Sequence, residues 1–208
     1  MNISVERFIT GPIETNSFVV YDEAGHSIII DPSSGCSKII DFCKTKSLQP
    51  AAIVLTHGHF DHFMGLAELQ QAFAITAVYA HRDEHALVRT PQLNGSHLMG
   101  IEVSYEGALS ELVEGQMNIG GLALEVLLIA GHSPGGCALL FAPNHCVVGD
   151  ILFAGSVGRT DLPGGNAVAL ISGIKQKLLF LSPDTIVYPG HGGRTTISRE
   201  QRLNPFLN

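Results

Sequence analysis

The segment Thr56-His57-Gly58-His59-Phe60-Asp61-His62 sets three imidazoles and one carboxylate within six positions, directly after the apolar run Ala51 to Leu55. In extended backbone, side chains two apart project to the same side. His57 and His59 can therefore converge on one cation while Asp61 and His62 turn toward another. Gly58 leaves room for that crowding. Imidazole suits zinc, iron and manganese, and a carboxylate can bridge two cations and offset their mutual repulsion. The bland alternative, four polar residues in a solvated loop, makes three histidines beside a strand end a coincidence.

Three further candidates stand after later apolar runs: His132 in Gly131-His132-Ser133-Pro134-Gly135, Asp150 after Gly149, and His191 in Pro189-Gly190-His191-Gly192. Each alone reads as a turn residue. Together they supply the ligands that the first cluster lacks. His57, His59 and His132 are assigned to a first metal ion, Asp61, His62 and His191 to a second, and Asp150 to both as the bridge. An open position then remains between the ions, where a water would have its pKa lowered toward about 7 and act as a hydroxide at neutral pH. The cofactors implied are two divalent metal ions, zinc first, with iron and manganese also suited. No Ser or Cys sits in a Gly-x-Ser-x-Gly sequence, which disfavours covalent catalysis. His26, His81, His85, His97 and His145 lack comparable company and are expected at the surface; His81 and His85 share a helical face at spacing four without a third ligand.

These side chains must be held by strands that end where the chemistry begins. Ser27 to Ile30, Ala51 to Leu55, Leu122 to Ile129, Cys146 to Val148 and Thr185 to Tyr188 are short runs rich in Val, Ile and Leu, as buried strands are. Asn166 to Leu181 is the clearest helical candidate, with Asn166 as its cap. Ser37 to Lys46 and His62 to Phe73 are shorter ones, and Ser198 with Gln201 resembles a capping box for a last helix. Hairpin-like turns such as Ala142-Pro143-Asn144-His145 fit poorly with a purely parallel sheet. The expected fold class is α/β, a layered sandwich of mixed sheets in one domain over residues 1–208.

Composition bounds the function classes. The net charge of -7 and the absence of a Lys/Arg cluster argue against a nucleic-acid partner. The segment starting Met1-Asn2-Ile3 lacks the features of a secretory signal, and no apolar run reaches spanning length, so a cytoplasmic protein without a membrane partner is expected. Cys36, Cys43, Cys137 and Cys146 form no Cys-x-x-Cys pair and read as reduced, mostly buried thiols.

Taken together, Ile28 to Pro32, the histidine loop, Gly131 to Gly135, Gly149-Asp150 and Pro189 to Gly192 resemble the metallo-β-lactamase superfamily, in its order and almost end to end. The resemblance implies a four-layer αββα sandwich with two mixed sheets flanked by helices and a metal site along one edge. Within it, Phe153-Ala154-Gly155-Ser156-Val157-Gly158-Arg159-Thr160-Asp161 and Leu203-Asn204-Pro205-Phe206-Leu207 resemble the short glyoxalase II-like hydrolases. Full-length glyoxalase II enzymes carry a helical C-terminal domain where only Arg194 to Asn208 follow the last motif here. The resemblance implies a thioesterase acting on a small-molecule, glutathione-derived thioester such as S-lactoylglutathione. A metal-bridging hydroxide would attack, with Asp61 orienting it and Asp150 bridging. Arg159 is read either as a clamp on a substrate carboxylate or as the ion-pair partner of Asp161.

Persulfide dioxygenase, an iron enzyme of the same superfamily, is the nearest competitor. It shares a Gly-Arg-Thr-Asp segment but typically has Ala-His where this chain has Gly190-His191. A non-catalytic metal-binding module fits the open position poorly. A β-lactamase is disfavoured by the missing secretion signal, and RNA-processing relatives by the acidic charge.

Overall fold

The computed structural model describes residues 2–207, so the outermost positions of the 1–208 span, Met1 and Asn208, lie outside the described residues. Two six-stranded sheets follow one another along the chain. The first is built in sequence order from β1 (Ile3–Thr10), β2 (Thr15–Asp22), β3 (Ser27–Ile30), β4 (Ala52–Val54), β5 (Val78–Ala80) and β6 (Ser110–Glu111). β1 to β3 are antiparallel and β3 to β6 parallel. The second comprises β7 (Gly115–Ile119), β8 (Leu122–Leu128), β9 (Cys137–Phe141), β10 (His145–Gly149), β13 (Ile186–Pro189) and β14 (Thr195–Thr196), in the order β14-β13-β10-β9-β8-β7. Only β10 and β13 are parallel there. A small hairpin, β11 (Leu152–Phe153) and β12 (Ser156–Val157), stands apart.

Strand periodicity explains the layering. Phe18, Val20, Ile28, Ile30 and Val54 meet Leu124, Val126, Leu139, Phe141 and Val147 in a core between the sheets. The alternate residues Val19, Ile29 and Ile53 pack outward on the helices α1 (Ser37–Thr45) and α2 (Leu66–Phe73) through Ile39, Cys43, Leu66 and Leu69. Two short helices, α3 (His85–Arg89) and α4 (Pro91–Asn94), follow β5, and on the other side Cys146, Val148 and Val187 pack on α5 (Ala167–Gly173) and α6 (Ile197–Leu203) through Leu170 and Ile197. Strands covered on both faces need apolar residues at every position, hence the unbroken runs Ile28–Ile29–Ile30 and Cys146–Val147–Val148. The result is the four-layer αββα sandwich that the motifs imply.

Element boundaries differ from expectation at three helices. The chain from Phe60 to His62 makes a 3-10 turn, and α2 starts only at Leu66: the Gly65 N–H before it donates to the Pro32 carbonyl instead of continuing a helix, and Gly65 lies against the Ser33 carbonyl, where a Cβ would come within 2.4 Å. Asn166 does cap α5 by accepting from the Ala169 N–H, but the helix widens into a π-turn over Ile174–Leu178. The last helix is capped by Thr196, which accepts from the Arg199 N–H, while Gln201 donates to the Leu179 carbonyl; the Ser198–Gln201 capping box is not formed. All four cysteines are buried and unpaired. Among the described residues no helix is long and apolar enough to cross a membrane.

Candidate metal centre

Strand direction gathers the site. β3 and β4 run parallel, so Asp31 and the Thr56–His62 loop leave the same end of the first sheet, and antiparallel β2 begins there with Thr15 and Asn16. In the second sheet β10 and β13 also run parallel and deliver Asp150 and His191 to one end, where antiparallel β9 begins after the His132 loop. The two ends are joined by backbone: Cys137 N–H donates to the Thr56 carbonyl at 2.9 Å, Asn16 N–H to the Gly190 carbonyl at 2.7 Å, and Thr15 and His191 form an antiparallel bridge. All seven residues assigned from the sequence lie along this seam.

His57, His59 and His132 converge with their ring nitrogens within 4.8 Å of one another. The hydrogen bonds behind them fix which nitrogens carry lone pairs. The Thr56 hydroxyl donates to Asp31 Oδ2 at 2.6 Å, so it accepts from His57 Nδ1 at 3.1 Å, leaving His57 Nε2 without a proton. His132 Nδ1 donates to the Arg159 carbonyl at 2.9 Å, leaving its Nε2 in the same state. These two Nε2 atoms face each other at 3.3 Å, and His59 Nδ1 lies 2.9 Å from His132 Nε2. Two lone pairs cannot hydrogen-bond, but nitrogens about 3.3 Å apart are what a tetrahedral ion with metal–nitrogen bonds of about 2.0–2.1 Å requires. Burial, reinforced by the neighbouring imidazoles, holds His57 well below the ordinary histidine range and brings His59 down to about 3. Burial likewise lowers His132, against the pull of Asp150. The trio is thus neutral, the state in which imidazole ligates.

Asp61, His62 and His191 form a second trio. His62 Nδ1 donates to Asp31 Oδ2 at 3.0 Å. Its Nε2 is aimed at Asp61 Oδ2, 3.3 Å away, and Asp150 Oδ1, 3.5 Å away, yet both His62 Nε2 and Asp150 Oδ1 are buried without a hydrogen bond. His191 Nε2 lies 3.3 Å from Asp61 Oδ2 and 3.6 Å from Asp150 Oδ2, while the latter oxygen is 3.7 Å from His132 Nε2. Asp150 therefore touches both trios. Burial opposes a charge on His62, but Asp61, Asp150 and Asp31 together raise it well above the usual range. Burial likewise works against Asp61, and His62 and His191 outweigh it, holding the carboxyl well below its usual range. His191 is raised by Asp61 and Asp150 against its own burial. A proton on either ring occupies the place that a cation would take. The orphaned atoms, the lone-pair geometry and the donor set all fit two divalent ions.

The Asp150 position depends on a missing methyl: a Cβ on Gly190 would stand 2.1 Å from Asp150 Oδ1. Asp31, though grouped with His57 and His62, has its carboxylate engaged by Thr56 N–H at 2.7 Å, by the Thr56 hydroxyl and by His62, so it orients ligands rather than adding one. It adopts φ +50°, uncommon outside glycine. Thr15 donates to Asp61 Oδ2 at 2.7 Å. Asn16 Nδ2 donates to the Pro189 and Gly192 carbonyls at 2.8 and 2.9 Å, clasping the turn that carries His191. Glu84, raised by burial, accepts from Gly58 N–H at 2.6 Å and from Gly135 N–H, tying the two histidine loops together. Sequence reasoning missed all four. Only Asp31 carried a signal, as a polar residue at the end of a buried run like Asp150.

Arg159 is exposed, and its guanidinium makes a bidentate pair with Asp161 at 2.7 and 2.9 Å, while its carbonyl orients His132. It also borders a cavity of about 340 Å³ that opens over His59, Asp61, His132, Asp150 and His191. The expectation of surface positions for the other histidines fails at His81, which is buried. His81 precedes the 3-10 turn Arg82–Glu84 and caps it by accepting from Asp83 N–H, so it does not share a helix with His85. His145 is half-buried against Tyr188, 2.9 Å from its hydroxyl.

The family model described as the metallo-beta-lactamase superfamily matches residues 10–191. The chain is 42% identical over 97% of its length, and 96% of the relative's, to the probable metallo-hydrolase YqgX of Bacillus subtilis. It is 31% identical to the hydroxyacylglutathione hydrolase GloC of Haemophilus influenzae, over 99% of both chains. Among solved structures it is similar to BLEG-1, a B3 metallo-beta-lactamase, with a TM-score of 0.93, 37% identity and coverage of 99% and 100%. It is also similar to TTHA1623 in a di-iron-bound form, with a TM-score of 0.87, 38% identity and coverage of 98% and 100%.

Proposed function

The chain belongs to the metallo-β-lactamase superfamily, and on that premise we propose that it is a binuclear metal-dependent hydrolase cleaving thioesters of the hydroxyacyl-glutathione type. The observation that carries the reading is the pair of trios sharing Asp150, with His57 Nε2 and His132 Nε2 left as lone pairs by the hydrogen bonds behind those two rings. His57, His59 and His132 would hold one ion, Asp61, His62 and His191 the other, and Asp150 both. Two divalent ions there supply Lewis acidity and bring the pKa of a shared water toward about 7. The likeness to GloC supports the choice of substrate.

The chain's own groups do the positioning. Asp61, fixed by Thr15, sits where it can orient the attacking oxygen. Arg159, on the cavity border, offers its planar fork to a substrate carboxylate once it exchanges partners with Asp161. In the reaction a water oxygen bonds to the carbonyl carbon, the carbon–sulfur bond breaks, and a carboxylate and a thiol are released with one proton. A thiol pKa near 8.5 means that sulfur leaves without a strong general acid.

The test is hydrolysis of S-lactoylglutathione by protein stripped with a chelator and reloaded with zinc, iron or manganese. Turnover is expected only after reloading, with two ions per chain. Protein holding two ions that cleaves no thioester would overturn the proposal. The likeness to BLEG-1 makes β-lactam hydrolysis the competing activity to assay in parallel. Oxygen uptake with glutathione persulfide, the iron-dioxygenase alternative, is disfavoured by the absence of room for an alanine at Gly190.

A further inference from the structure

The cavity over the metal centre has a polar floor and an apolar mouth. Ile13, Leu98 and Met99 line it while remaining 39%, 73% and 56% exposed. They come from two unrelated segments. Ile13 sits in the turn between β1 and β2, and Leu98 and Met99 in the short 3-10 turn Ser96–Met99. Gly95 and Gly100, at φ +87° and +73°, bracket that turn in a conformation that only glycine adopts without strain. Phe60 lies buried beneath Gly95, and Leu162 closes another part of the wall. Scattered exposed apolar residues need no explanation, but three that converge on the opening of one cavity mark a binding surface.

Charge points the same way. Among the described residues lining this cavity Arg159 is the one arginine or lysine, and Asp161 already neutralises it. A substrate whose every part is polar would leave the apolar mouth in contact with water or with unpaired polar groups.

We propose that the mouth formed by Ile13, Leu98 and Met99 seats the acyl half of the thioester, and that this half is an aliphatic or aromatic group larger and more apolar than lactoyl. The inference rests on the thioesterase reading and refines its substrate class. The acyl carbonyl must reach Asp150 and His132 on the floor, so the group attached to it extends toward the opening. Arg159 is left for a carboxylate of the thiol half. Binding energy then comes from area removed from water, which grows with each methylene.

The test is a series of glutathione thioesters with lactoyl, acetyl, butyryl, hexanoyl and phenylacetyl groups. The expected kcat/KM rises by up to about fourfold per buried methylene, and S-butyrylglutathione is cleaved better than S-lactoylglutathione. Replacing Leu98→Ser together with Met99→Ser flattens the series, whereas Phe180→Ser, at an exposed apolar residue outside the cavity, keeps its slope. Without any turnover, S-hexylglutathione is expected to bind at least about tenfold more tightly than S-methylglutathione, with a negative heat-capacity change in calorimetry. A flat or inverted series, or a slope that survives the double variant, would overturn the inference even if S-lactoylglutathione is hydrolysed. If no thioester is cleaved, the thioesterase reading fails separately, and equal affinity for the two S-alkyl ligands would then sink this one too.

Discussion

The two trios look alike in sequence and differ in kind. His57, His59 and His132 are all imidazole, are driven neutral by burial, and are backed by neutral partners, the Thr56 hydroxyl and the Arg159 carbonyl. Asp61, His62 and His191 mix carboxylate with imidazole, stand beside Asp150, and have the Asp31 carboxylate behind them. With Asp150 shared, the first position offers three nitrogens and one oxygen and the second two nitrogens and two oxygens; nitrogen donors favour zinc and its neighbours, and oxygen donors shift preference toward harder ions such as manganese. The two positions should therefore not be equivalent: the first is ready for a metal as folded, whereas the second must give up a proton to take one.

The strongest way to break that contrast is to remove what the trios share. Asp150→Asn keeps the shape but halves the oxygen donors and removes the charge. We expect fewer than one ion per chain by elemental analysis, and kcat/KM lower by more than the roughly 10–100-fold typical of orienting residues. Two ions retained would mean that Asp150 is no bridge. His145→Ala, at a ring that bonds the Tyr188 hydroxyl and belongs to neither trio, should change neither reading.

A narrower change should separate the trios. Asn16→Ala removes both side-chain bonds to the turn bearing His191 and none to the first trio. Affinity for one ion should fall by about 10–100-fold while the other stays bound, giving a biphasic metal titration. Equal weakening of both ions would show the sites to be one cooperative unit.

The mildest effect is a pH signature of metal-stripped protein. The first trio's histidines titrate below their ordinary value when folded, so the unfolded chain takes up more protons as pH falls through about 6.5, and stability is lost on the acid side. His62 and His191 are raised, so their contribution is complete at acid pH and is lost as pH rises through their folded values. The thermal midpoint of stripped protein should pass through a maximum near neutrality. A midpoint that climbs steadily from pH 5 to 9 would contradict the assignment of opposite shifts.

Much of this was legible in the sequence because ligands are dense and strands buried on both faces leave continuous apolar runs. Ser27–Ile30 was placed to the residue, and the histidine loop announced itself. Strands with exposed positions, such as β1 and β7, lacked that signature and went unread, and so did β2, which is buried but opens with the polar residues Thr15, Asn16 and Ser17. So did the orienting layer, since Thr15, Asn16 and Glu84 are ordinary polar residues whose meaning arises from partners 46, 173 and 51 positions away. The Ser198 cap failed for a local reason: Thr196 ends β14 and starts α6 at once, two residues earlier than the box pattern suggested.

The order of the sheets along the chain bears on how the protein is made. One half of the polypeptide forms the first sheet and carries His57, His59, Asp61 and His62; the other forms the second and carries His132, Asp150 and His191. Neither trio is whole until its last member has left the ribosome, so a growing chain presents an incomplete chelate through much of its synthesis. An ion that needs a whole trio would therefore have to wait until the two halves have docked.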